Sequence, residues 1–351
     1  MHPFEAYRCC RLCPRDCKVD RTQGAKGVCG ETSTLRIAHL GAHFGEEPSF
    51  SGTRGSGTIF FSGCSSHCFF CQNYQISGQH EGKEYAPGSL LKAVKGLLQK
   101  EEVRPVPTAQ SPREDKNNKG SHFSQKKSTK TEDVEPYYGV HNLNFVTPDH
   151  FWPHIRELCR TLREERITVP MLFNCSGYQK AKLVGEYGAC MDIFMPDFKF
   201  GHPELAKTCM GDERYPGIAL EAIREMVRLK GLLEPWDPTG EEPARKGVLI
   251  RHLVLPGHVE NSLEVLRLIH KEFGPGIPLS VMSQYRPVPE CSGRGEFQRT
   301  LKAKEYEQVL GLAGELGFSR VYAQELVEQT AFLPDFNDPE DPFPGHRPRK
   351  R

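Results

Sequence analysis

At 351 residues the chain is long enough for one large domain with appendages and longer than a minimal module. Its formal net charge of +1 gives no electrostatic reason to expect a nucleic acid or an anionic membrane as partner. No apolar run reaches the ~20 residues of a spanning helix, and the start, MHPFEAYRCC, lacks the apolar core of a secretory signal. The expectation is a cytoplasmic protein without a membrane partner, whose 13 cysteines stay reduced, so that clustered ones read as metal ligands.

The first such cluster lies in residues 1–50. Cys10, Cys13, Cys17 and Cys29, with Cys9 adjacent, are punctuated by Pro14, Gly24, Gly27 and Gly30. Loops of that kind bury little apolar surface, so a metal is expected to hold them. The spacing leaves zinc and a second iron–sulfur cluster both open. LRIAHLGAHFGEEPSFSG follows, read as a short strand and then a solvated loop bearing His39, His43, Glu46 and Glu47.

The second cluster organises the chain. An apolar run, Thr58 to Phe61, leads into Cys64, Cys68 and Cys71, spaced C-x3-C-x2-C on a tight loop. Iron–sulfur clusters are held by Cys thiolates, and a [4Fe–4S] cube that only carries electrons takes four of them. Three protein sulfurs leave one iron open, and an open position is the mark of a reactive metal site. Zinc, with His67 as fourth ligand, is the alternative, but zinc spacings favour cysteine pairs separated by a longer loop.

Beyond this loop a helix is expected over Ser89–Gln99, with Leu90, Leu91, Val94, Leu97 and Leu98 at helical spacing. Residues 102–136 are rich in Pro, Ser, Thr, Gln, Lys and Glu and read as a disordered insertion. Strands are expected at His141–Val146, Val169–Cys175, Met191–Phe194, Val248–Leu255 and Leu279–Gln284, with helices between and after them, the last over Lys302–Leu316. Thr147 before Pro148 reads as a helix cap, and Asn261 with Glu264 as a capping box. With the strand before Cys64 the count is six βα units, an α/β fold closer to an open partial barrel over residues 51–335 than to a closed eight-strand one. Residues 336–351, ending HRPRKR, read as a disordered tail.

Ligands of parallel βα folds collect at the carboxyl ends of strands. In MPDFK, Asp197 and Lys199 lie two residues apart, on one face of an extended chain. Arg251 in RHLVLPG stands at the same level, and FNCSGY closes a strand with Asn174, Cys175, Ser176 and Gly177, small or polar residues suited to close approach.

C-x3-C-x2-C directly after a strand, with Phe70 just before the third cysteine, resembles the cluster loop of the radical S-adenosylmethionine (AdoMet) enzymes. IFMPDFK, VLIRHLVLPG and NCSGY are similar in kind and order to the glycyl-radical activating enzymes, such as the pyruvate formate-lyase activating enzyme. CRLCPRDC, HFGEEPSFSG, CFFCQN, NFVTP and MPDFKF look closest to their uncharacterised homologues, over nearly all of Tyr7 to Phe336.

The resemblance implies a radical AdoMet partial (β/α)6 barrel whose [4Fe–4S] cluster is bound by Cys64, Cys68 and Cys71. It implies reductive cleavage of AdoMet to a 5′-deoxyadenosyl radical, hydrogen abstraction from a substrate that includes a protein glycyl residue among its candidates, and an electron donor such as a flavodoxin or ferredoxin. The backbone near Phe70 would contact the adenine. Met195 and Asp197 match positions that hold a monovalent cation beside the AdoMet carboxylate, and Lys199 matches a lysine of that site. Where the activating enzymes carry a Gly-Gly-Glu run for the AdoMet amino group, this chain has Asn144, Phe145, Val146 and Thr147, without a carboxylate. Asn174 to Gly177 replace an Asp-Thr-Asn-Gly run, and Tyr285 and Arg286 stand near the place of a functional histidine. A metal-binding scaffold that has lost catalysis is the second reading, and nucleotide modification is disfavoured because no basic or aromatic-rich domain accompanies the barrel.

Overall fold

The computed structural model describes residues 4–99, 139–326, 333–338 and 341–343. The insertion expected at 102–136 lies outside them, as does most of the expected tail. In chain order the strands are β1 Arg36–His43, β2 Ser56–Phe61, β3 Lys83–Glu84, β4 Leu143–Val146, β5 Met171–Cys175, β6 Ile193–Pro196, β7 Gly247–Val248, β8 Ile250–Leu253, β9 Leu279–Met282 and β10 Val321–Ala323. The helices are α1 Pro48–Ser51, α2 Tyr74–Ser77, α3 Pro87–Leu98, α4 Trp152–Glu164, α5 Ala181–Gly188, α6 Pro203–Met210, α7 Tyr215–Lys230, α8 Val259–Phe273 and α9 Ala303–Glu315.

The arrangement is mixed α/β around parallel strands. One sheet runs β3-β1-β2-β4-β5-β6-β7 and a second β10-β9-β8. A parallel bridge between Asp197 and Arg251 joins the first sheet's β6 side to β8, with Phe198 N–H donating to Arg251 O at 2.7 Å. The expected strands at His141–Val146, Val169–Cys175 and Leu279–Gln284 are trimmed to β4, β5 and β9, whereas the one at Met191–Phe194 shifts to Ile193–Pro196 and the one at Val248–Leu255 divides between β7 and β8, in different sheets. β10, after α9, was not expected: its Val321 and Tyr322 are only half-buried, and so short an edge strand has little periodicity to read. β1 is eight residues long and antiparallel to β2.

Every residue of β2, β4, β5 and β6 is buried, as strands covered on both faces must be. Alternation then assigns the faces. Phe145, Phe173 and Phe194 pack toward the helices, with Trp152 of α4 and Tyr187 of α5 against Phe173. Leu172, Ile193, Met195 and Leu249 form a second core on the opposite face with Phe50 of α1. Asn174, Asp197 and Arg251 continue that face at period two, which brings the polar strand ends to the same side of the sheet as α1.

Two expected helix starts are replaced. Thr147 caps no helix: it adopts the left-handed region at φ 55°, and α4 begins at Trp152 with Pro153 in its first turn. Asn261 lies inside α8, which starts at Val259, and its Oδ1 instead accepts from Gly201 N–H at 2.9 Å and His202 N–H at 3.3 Å, capping the approach to α6. Local spacing suggested a cap for its own helix, whereas the unsatisfied amides it serves belong to another.

Candidate functional site

The loop after β2 is fastened from several sides. Gly63 N–H donates to Ile76 O at 2.8 Å and Cys64 N–H to Cys29 O at 3.3 Å. Ser65 Oγ donates to buried Asp149 at 2.9 Å, and Ser66 Oγ to Ser176 Oγ at 2.7 Å. Arg15 reaches across from the N-terminal segment, its Nε donating to Ser65 O at 2.9 Å and a terminal nitrogen to Ser66 O at 3.1 Å and Met210 O at 2.5 Å. Charge-assisted bonds of this kind contribute about 1.5–3 kcal/mol each. Arg15→Ala is therefore expected to lower stability by about 2–3 kcal/mol and to raise amide hydrogen exchange selectively over residues 63–71; exchange unchanged there would show that the loop holds itself.

Cys64, Cys68 and Cys71 all line one cavity of about 210 Å³ at the strand ends. Thr147, Asn174, Ser176, Asp197, Lys199 and Arg251 line it too, with Glu46 and Phe70. Arg251 is the hub. Its Nε donates to Asp197 at 2.9 Å, one terminal nitrogen to Asn174 Oδ1 at 2.7 Å and the other to Glu46 at 3.2 Å. Lys199 Nζ closes on the other Asp197 oxygen. Asn144 is fully buried behind this network and donates to Glu46 Oε1 at 2.8 Å, with Asn174 adding a longer bond at 3.3 Å. Thr147, beside them, hangs its amide on Asn174 O at 2.8 Å. A β-branched residue at positive φ is a strained choice, of the kind that clusters at functional sites.

Glu46 corrects an expectation. The loop before α1 was expected to be solvated, yet the Glu46 side chain is only 9% exposed and enters the network described above. α1 tucks Phe50 onto the sheet face, and Glu46, just ahead of it, is carried onto the same face. Glu47 also turns inward in part, one carboxylate oxygen being buried without a partner. His43 is buried beside Phe60 and Phe343.

Burial sets the electrostatics. It pushes the Cys64 thiol up to about 12 and raises Cys68 further, against the pull of Lys199, so both hold their protons until a metal displaces them. Burial opposes ionisation of Asp197, but Lys199 and Arg251 overcome it and keep the carboxyl below its usual range. Glu46 is pushed up by burial to about 7, Arg251 only partly offsetting it.

The sign of the Glu46 shift is testable. A carboxyl whose folded pKa lies near 7 against 4.5 when free favours folding below about pH 4.5, and that contribution is lost as pH rises through about 7. At about 1.4 kcal/mol per unit the loss is on the order of 3 kcal/mol. Relative to wild type, Glu46→Gln is expected to gain about 2–3 kcal/mol in denaturant unfolding between pH 5 and pH 8; parallel pH curves would refute the assignment.

The N-terminal cysteines do not line the cavity, although Cys29 O accepts from Cys64 N–H on its loop. Cys10, Cys13 and Cys29 are buried; Cys17 and Cys29 flank Gly27, where an added Cβ would meet their sulfurs at 3.6 and 3.5 Å. Arg21, fully buried, ties this segment down by donating to His150 O at 2.7 Å and Thr32 O at 2.6 Å while stacking on Tyr7. Among the described residues no three His, Cys, Asp or Glu side chains form a set that could hold one metal ion. A single tetrahedral zinc needs four donors converging on one ion. A cluster asks less, since each thiolate meets a different iron, and the loop thiols Cys64, Cys68 and Cys71 on the wall of one cavity suit that donor chemistry.

Several matched positions lie elsewhere. Met195 is buried in the second core. Tyr285 is buried, its hydroxyl donating to Phe297 O at 2.7 Å, and Arg286 bonds Tyr285 O at 2.7 Å; the cavity wall there is Met282 and Gln284. Among the described residues no helix is long and apolar enough to cross a membrane.

Fold and site together define an α/β protein with a thiol-lined, charge-networked cavity at its strand ends. No family model matches the chain. An uncharacterized protein of Methanocaldococcus jannaschii is 26% identical over 317 residues, covering 90% of this chain and 77% of the relative. Among solved structures, methylornithine synthase (PylB) aligns over 76% of this chain and 70% of its own at 12% identity, with a TM-score of 0.42. A likeness of that size carries no argument about activity.

Proposed function

We propose that the chain is a radical AdoMet enzyme built as a partial barrel of six βα units, with Cys64, Cys68 and Cys71 as ligands of a [4Fe–4S] cluster. One observation carries the reading: the three cysteines of the C-x3-C-x2-C loop and the Glu46, Asn174, Asp197, Lys199 and Arg251 network share a single cavity. Cluster and cofactor, when bound, would supply one-electron cleavage of the sulfonium and hydrogen abstraction from the substrate.

The chain's own residues do the rest. Arg251 and Lys199 offer positive charge to a carboxylate, and Glu46 offers an acceptor to an ammonium group, which replaces the carboxylate missing at Asn144 to Thr147. Binding such a cation would favour ionised Glu46 and draw its pKa down. Phe70, stacked on Phe297 with centroids 5.9 Å apart, gives the third cysteine a fixed apolar neighbour. The target belongs to the same proposal: a protein or peptide substrate, a glycyl residue included, with a flavodoxin or ferredoxin as electron source in the cytoplasm.

Anaerobically reconstituted protein given dithionite and AdoMet is expected to yield 5′-deoxyadenosine and methionine. A cluster that forms but leaves AdoMet intact would favour the scaffold reading, in which the departures at Thr147 and Asn174 mark lost catalysis.

A further inference from the structure

The last described residues return to the cavity. Residues 333–338 and 341–343 lie against its Phe60 side, where Pro334 and Phe343 join the cavity wall. Phe336, 6% exposed, sets its ring 5.4 Å from that of Phe60 between centroids, and Phe343 sets its own 5.1 Å from Phe60 and 4.3 Å from His43. The two rings also meet edge to face at 5.7 Å, completing an aromatic cluster over Ile76 and Val146.

Polar contacts fix the register of this seat. Gln75 Oε1 accepts from Phe336 N–H at 2.8 Å, and Gln75 Nε2 donates to Asp335 Oδ1 at 3.0 Å. Asp335 N–H donates to Pro342 O at 3.0 Å, which folds the segment on itself and brings both rings to Phe60. Phe60 precedes Cys64 by four residues and Gln75 follows Cys71 by four, so the segment grips the cysteine loop at both of its ends.

Size gives this seat its meaning. The cavity measures about 210 Å³, below the roughly 300–1,000 Å³ of pockets that bury a small molecule. Of its walls, Asn174 and Asp197 are fixed by the pairing of β5 with β6, whereas Pro334 and Phe343 belong to a segment held by ring packing and one glutamine. We propose that residues 333–338 and 341–343 are a strap that closes the cavity in the free protein and leaves its seat to admit cofactor and substrate. The strap deepens the radical AdoMet reading and rests on it for what is admitted: it names how that site is reached and what keeps water from the loop thiols until then.

The full chain, stripped of iron with a chelator and reduced, is given N-ethylmaleimide, quenched at intervals, digested with trypsin and mapped by mass spectrometry. In the wild type, residues 55–83, which carry Cys64, Cys68 and Cys71, should label slowly beside exposed Cys9. Phe336→Ala with Phe343→Ala should speed that labelling at least about tenfold, because attack on a covered group tracks the population of its open form. Cys9 should be unchanged, and the core thiols Cys159 and Cys209 should stay unlabelled, which separates an opened strap from an unfolded chain. Asp335→Ala, which removes the acceptor of the Gln75 amide, should give a smaller rise, and Asp335→Asn, which keeps it, the wild-type rate. Wild-type loop thiols as fast as Cys9, no rise in either the double variant or Asp335→Ala, or a rise only where Cys159 and Cys209 label too, overturns the proposal. No arm uses AdoMet or a cluster, so this failure is distinct from a failure to form 5′-deoxyadenosine.

Discussion

Cys68→Ala, purified without oxygen, is expected to lose the iron and sulfide of the cavity loop together with its brown charge-transfer absorption, and to form no 5′-deoxyadenosine. The reason is the count of sulfurs on the loop: Cys64, Cys68 and Cys71 are its three thiols, and the cavity's fourth cysteine, Cys175, is buried at the end of β5 and not on the loop, so the variant leaves the cube held at two corners. Lys199 adds to the effect, since it favours the Cys68 thiolate and would be left without that partner. Cys13→Ala is the control, because its thiol lies in the N-terminal group; it is expected to keep the cavity chromophore. Metal analysis on both variants checks the assignment, and a Cys68→Ala protein that retains full iron would end it.

Arg251→Met is expected to destabilise the fold by about 3–5 kcal/mol, read as a shift of the denaturant midpoint at constant slope. Arg251 satisfies Asp197, Asn174 and Glu46 at once, so its removal strands buried polar groups on β5, β6 and the loop before α1. Lys199 still holds Asp197, which caps the loss below that of an isolated buried charge. Arg251→Lys keeps the charge but cannot span three partners from one fork, and should recover only part of the stability. The double variant Arg251→Met with Glu46→Gln should lose less than Arg251→Met alone, because an uncharged amide needs no counterion; losses that simply add would argue that the two residues do not act as a pair.

What could be read from the chain follows from how far each signal reaches. The cysteine loop is local in sequence, and Asp197 with Lys199 is fixed by period two, so residues that line the cavity were legible in spacing alone. Arg251 and Asn174 followed from the rule that ligands gather at strand ends. Glu46 was placed on a solvated loop because its burial depends on α1 folding Phe50 back onto the sheet, a contact that no local pattern encodes. Asn261 failed for the same reason, its side chain serving a helix start sixty residues earlier. Asp149, fully buried under Ser65 and pushed up to about 6 by that burial, carries no motif at all.

The long span of the Arg15 and Arg21 bonds bears on how the protein is made. Arg21 waits 129 residues for His150, and Arg15 waits 195 for Met210. At a synthesis rate of about 5–20 residues per second, the second interval is on the order of ten to forty seconds. Throughout it the earliest cysteines have left the ribosome while the surfaces that will shelter them are still being translated. Their protection from oxidants in that interval falls to the cell.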